Sequence, residues 1–116
     1  MEVFIHHIYE LKKGLRRLVL YTCPATELPD VENRLIREKI PYLLSQVSDR
    51  KTNVFFGDRI CIGVLENFST MALNRLSDQE DFILGILLGY DLKLQCRRFL
   101  ERMEDTDSIN LNARTA

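Results

Sequence analysis

The chain is poor in the residues that most often carry chemistry: 116 residues hold two histidines and three cysteines. The histidines, His6 and His7, are neighbours, so they point apart on a helix and to opposite faces on a strand. Neither the HxxxH nor the HxH spacing that would let two imidazoles share a metal occurs, and no metal site is expected. No serine, cysteine or carboxylate shows the local signature of a matched partner for either ring, so no catalytic residue is assigned and a binding role is favoured over an enzyme. Cys23, Cys61 and Cys96 are far apart and form no CxxC, which fits reduced thiols, with core packing expected for Cys61 and Cys96. A phosphate cradle is excluded too: no Walker loop or GxGxxG is present, and the glycines around "FFGDRICIG" are too few. No apolar run reaches bilayer-spanning length and no signal peptide is seen, so a cytoplasmic protein is expected. A formal net charge of -1 leaves no overall footprint for nucleic acid, and a charged partner must read a local patch.

What is present describes one domain, long enough to bury a core without disulfides or metal. Val3, Phe4, His7, Ile8, Leu11 and Leu15 recur at helical spacing and predict an opening helix ending near Gly14. "RRLVLYT" reads as a strand from Arg16 to Thr22, closed by Pro24. Pro29 suits the first turn of a second helix with Val31, Leu35 and Ile36 inward, stopped before Pro41. "YLLSQVS" and "NVFFG" form an antiparallel hairpin across "DRKT". Residues 59–66 alternate like a strand yet also fit a helical stripe; Asp58, a good N-cap residue, favours helix. Ser77 and Glu80 form a capping box for a helix from Asp78 to Gly89, and Leu92, Cys96, Phe99, Leu100 and Met103 define a final helix. The expected fold is α+β: a three-stranded sheet in a partial ferredoxin-like β-α-β-β-α order, with an N-terminal helix, a C-terminal helical pair and helices laid across one sheet face. Residues 1–103 make the domain, and 104–116 are expected to be a polar flexible tail.

Three surfaces qualify as binding candidates. In "FILGILL" apolar residues point in every direction, so part of that helix should meet another chain; Phe82, Ile83, Ile86 and Leu87 are the expected homodimer interface. Gly85 and Gly89, four apart, would let a neighbouring helix approach. Lys12, Lys13, Arg16 and Arg17 flank Gly14 as the densest basic cluster, suited to docking an acidic protein. His6 stands four residues before Glu10, an i, i+4 pair that would favour the protonated ring and make a mild pH-sensitive site, whereas His7 belongs to the packing stripe.

Two other function classes have sequence support. "LSDQEDFILGILLGYDLKLQC" resembles the start of the helix-turn-helix of LuxR-type regulators, but the basic recognition helix that should follow is replaced by the acidic "EDTDSINLNARTA", so nucleic acid binding is the lesser reading. Cys23 before Pro24 resembles the dipeptide through which some regulatory proteins ligate haem iron, leaving a haem or metal protein as a further alternative. Over the whole chain, "FIHHIYELKKGLRRLVLYT", "NVFFGD" and "EDFILGILLGYD" resemble a small bacterial family, domain of unknown function 2023. That resemblance implies three strands, five helices, a homodimer and a gene neighbourhood beside flavodoxin, whose acidic surface would suit the basic cluster. No catalytic residues carry over from it, and no cofactor is expected.

Overall fold

A computed structural model describes the backbone of residues 1–115 and the side chains of residues 1–106. Among these residues the order is α1 (Glu2–Lys12), β1 (Leu18–Pro24), α2 (Leu28–Arg37), β2 (Tyr42–Gln46), β3 (Lys51–Gly57), α3 (Arg59–Leu65), a 3-10 turn (Leu73–Arg75), α4 (Asp78–Leu87) and α5 (Leu92–Thr115). The protein is therefore α+β, with five α-helices and one three-stranded sheet. Residues 59–66 are helical, and Asp58 caps that helix by accepting from the Ile60 N–H at 2.8 Å.

β3 lies between β1 and β2 and pairs antiparallel with both. It is the most buried strand, from Thr52 to Gly57, because its two neighbours and the two faces leave no side exposed. Strand alternation then sorts side chains to two cores. Val19 and Cys23 of β1 join Val54 and Phe56 of β3 against Phe4 and Ile8 of α1 and Val31 and Leu35 of α2. Leu18 and Phe55 face the other way, against Ile62 and Leu65 of α3, Leu84 of α4 and Leu88 just past its end.

Helices thus cover both faces of the sheet, which corrects the one-sided arrangement expected from the sequence. The cause lies in β1 and β3, whose inward and outward positions are both apolar, so one layer of helices could not keep them from water. Two further expectations change. Ile36 is 62% exposed and Ile60 79% exposed, since Val31 and Leu35 in α2 and Ile62 and Leu65 in α3 supply the inward stripes. Of the cysteines it is Cys23 that is fully buried, whereas Cys61 and Cys96 are only partly covered.

The turn after β3 needs a glycine. Gly57 has φ of 152°, and a Cβ there would collide with the carbonyl oxygen of Arg17. That carbonyl accepts the Asp58 N–H at 2.8 Å, so the close approach ties the entrance of β1 to the start of α3.

Candidate functional site

α4 begins at Ser77, whose hydroxyl accepts the Glu80 N–H at 3.1 Å while the Glu80 carboxylate accepts the Ser77 N–H at 2.9 Å. The same carboxylate accepts the Ser69 N–H at 2.7 Å, which pins the preceding loop to the helix start. These hydrogen bonds hold the Glu80 carboxyl below the usual carboxylate range, the Ser77 backbone bond being the largest cause. The sequence reading placed the capping box but had no signal for Ser69, whose role depends on how the loop folds back.

α5 runs antiparallel to α4 and leans chiefly on it. One side of the seam is ionic. Arg98 donates to both oxygens of Asp81, at 2.9 and 3.2 Å, and Arg102 reaches Asp78 at 2.9 Å and Asp81 at 3.0 Å. The Arg98 hydrogen bond, assisted by the charges of Arg98 and Arg102, holds the Asp81 carboxyl below its ordinary value despite partial burial. Next along, Gly85 leaves room for the Gln95 side chain, which a Cβ would strike. Gly85 therefore does admit a neighbouring helix, and that helix is the chain's own α5. Gly89 serves otherwise: its φ of 82° ends α4, and nothing lies within 4 Å of the position a Cβ would take.

The other side of the seam is apolar and open. Phe82 and Phe99 meet with ring centroids 5.3 Å apart, and with Ile83, Cys96, Leu100 and Gln79 they line a groove of about 440 Å³. Of the four expected interface residues, Phe82 and Ile83 line this groove and Ile86 is half-buried. Leu87 packs against the core of its own chain. α5 runs through Met103 to Thr115, and of the expected tail 104–116 the side chains from 107 onward lie outside the described residues.

The basic cluster does not form one uniform patch. Lys12 pairs with Glu38 at the end of α2, and Lys13 sits over the Tyr9 ring, 5.5 Å from its centroid. Arg16 donates to His7 Nδ1 at 3.2 Å, on the α1 side of the sheet. Arg17 turns to the opposite side, where its charge offsets part of the upward push that burial and Asp58 exert on the Cys61 thiol. Successive residues entering β1 alternate, which separates the two arginines. His6 Nε2 lies 3.5 Å from Glu10 Oε1, the i, i+4 contact expected, with His6 largely exposed. His7 Nδ1 also reaches this oxygen, at 3.3 Å, through the i, i+3 spacing of the same helix. Nδ1 of His7 accepts from Arg16 when it is bare and donates to Glu10 when it carries a proton, so the two neighbours compete for one nitrogen.

Burial raises the Cys23 thiol above its usual range, and Glu27 adds to the shift. The thiol donates to the Pro24 carbonyl at 3.2 Å. Among the described residues, no group of three or more histidine, cysteine, aspartate or glutamate side chains is placed to hold a metal ion, and no helix is long and apolar enough to cross a membrane.

A sheet covered by helices on both faces and a capped helical hairpin with an apolar groove together define a small α+β protein. The chain belongs to the family described as a protein of unknown function, DUF2023, whose model matches residues 2–102. No curated protein matches it.

Proposed function

We propose that this protein is a small homodimeric accessory or regulatory protein that acts by binding. Two copies join through the α4–α5 groove, and the basic end of α1 docks an acidic partner such as flavodoxin. The observation that carries the proposal is the groove itself, which has no charged residue in its lining and leaves Ile83 38% and Leu100 59% exposed. A charged ligand gains nothing there, whereas a second copy brings the same apolar stripe and closes four helices into an antiparallel bundle. The charges of Asp78, Asp81, Arg98 and Arg102 are spent within the hairpin, which leaves apolar burial to drive association.

Light scattering at tens of micromolar should return twice the 13.6 kDa chain mass, and Ile83→Asp should return the chain mass with the circular dichroism spectrum unchanged. A monomeric wild type ends the dimer proposal.

For docking, Lys12, Lys13 and Arg17 remain at the surface, while Glu38 neutralises part of the attraction of Lys12. Titration with purified flavodoxin at low ionic strength should show binding that fades with salt and with alanine at Lys12, Lys13, Arg16 and Arg17. Absence of binding at low salt refutes the acidic partner without touching the dimer.

A further inference from the structure

The face of the sheet that carries Leu18 and Phe55 is covered unevenly. α3 and α4 close over its apolar end, but toward Ser45 and Asn53 the cover is the 3-10 turn, and a gap remains. Two adjoining cavities fill that gap, about 490 Å³ and about 350 Å³, and Leu73 of the turn lines both. Each is within the size range of sites that hold small organic molecules.

The larger cavity presents donors without acids. Ser45, Gln46, Asn53, Asn74 and Arg75 supply its polar lining, and no aspartate or glutamate contributes. Asn53 is the telling residue. It is 5% exposed, its side-chain oxygen accepts from Thr22 at 2.7 Å, and its side-chain nitrogen has no partner among the described residues. That nitrogen opens into the cleft, since no buried side-chain nitrogen or oxygen among the described residues lacks a partner, so it is free to donate to a bound group. Arg75 likewise enters none of the ion pairs among the described residues, in contrast to Arg98 and Arg102. The smaller cavity is different: Leu20, Leu76, Leu84 and Leu88 form its apolar floor, and its one carboxylate, Asp81, is already held by two arginines.

We infer that this cleft is a binding site for a small amphipathic carboxylic acid. Its carboxylate is received by Asn53 and Arg75, and its short apolar body lies past Leu73 on the leucines beneath. A carboxylate is the complementary group because it accepts from both donors at once and faces no repelling acid in the larger cavity. The apolar body follows from the leucines of the second cavity, whose lining also includes Tyr90, Gln95 and the paired Asp81 and Arg98.

The test is an NMR titration of the ¹⁵N-labelled protein with sodium octanoate, octylamine and sodium acetate in parallel. Octanoate should shift the side-chain amide of Asn53 and the backbone amides of Ser45 and Arg75 saturably. Octylamine, of opposite charge, should leave them in place, and acetate should bind about a hundredfold more weakly because it lacks the apolar body. Arg75→Ala, an exposed position whose replacement leaves the fold intact, should weaken octanoate at least about tenfold. Failure of octanoate to shift these residues at millimolar concentration overturns the site. So does equal binding of octylamine, or octanoate affinity untouched by Arg75→Ala.

Discussion

Lys39 holds φ of 59°, a left-handed conformation in which a side chain with a Cβ is strained. The reason is visible in the hydrogen bonds that end α2: the Lys39 N–H donates to Ile36 and the Ile40 N–H to Leu35, at 3.1 and 2.9 Å. α1 and α4 end with the same pair of bonds, and there the left-handed residue is a glycine, Gly14 or Gly89. Lys39→Gly should therefore stabilise the protein by about 1 kcal/mol, read as a higher urea midpoint at unchanged slope. An equal or lower midpoint would mean that the lysine side chain contributes more than its backbone costs. A second residue gives a pH signature. Burial, followed by the hydrogen bond at 2.9 Å to Glu27 and the charge of that carboxylate, raises Tyr21 from 10.0 to about 12. The folded state keeps this phenol protonated when the unfolded chain has lost its proton, so the associated stability is complete below pH 10 and disappears as pH rises toward 12. Absorbance titration of the four tyrosines should show Tyr21 ionising last or only on unfolding, and Tyr21→Phe should flatten the alkaline loss of stability.

At the scale of elements, α5 depends on α4 for its position, and Asp81 is the centre of that dependence. Asp81→Asn should cost about 1 kcal/mol, because Arg98 and Arg102 lose their shared carboxylate in a partly exposed network. The sign with pH follows from the lowered carboxyl: its stabilisation is present above the ordinary carboxylate range and is lost as pH falls through the folded value. The wild type and Asp81→Asn should thus converge in stability at acid pH; a difference that persisted there would assign the cost to packing. Local signals in the sequence were enough to place these elements. Pro29, the Ser77–Glu80 box, Asp58 and Gly14 all act within a turn of their own position, and each sits where its chemistry requires. Less legible was what depends on distant partners. Ile36 and Ile60 fit helical stripes as well as Leu35 and Ile62 do, and only the twin-faced sheet decides which are covered. Nothing in the order of residues links Asn53 to Arg75, because the 3-10 turn that brings them to one cleft has no periodic signal.

For the molecule as a whole, the long axis measures 57 Å against 32 and 23 Å across, far from the shape of a closed globule. Its 24-residue α5 spans about 36 Å, against about 15 Å for α4, so more than half of its length extends beyond the helix it leans on. Exposed Leu92, one turn before Cys96 on the same face of α5, adds to the apolar surface beside the groove. Pairing two hairpins would place that surface against its equal, and it would also link unfolding to association. If the native form is a dimer, its melting temperature depends on concentration, since each tenfold dilution favours separated, unfolded chains by about 1.4 kcal/mol. Calorimetry of the wild type should then show a melting temperature rising by a few degrees for each tenfold increase in protein. Ile83→Asp, separated into single chains, should melt lower and at the same temperature throughout. A wild-type transition that stays fixed across two decades of concentration would show that the hairpin needs no partner for its stability, and would leave the groove open for another occupant.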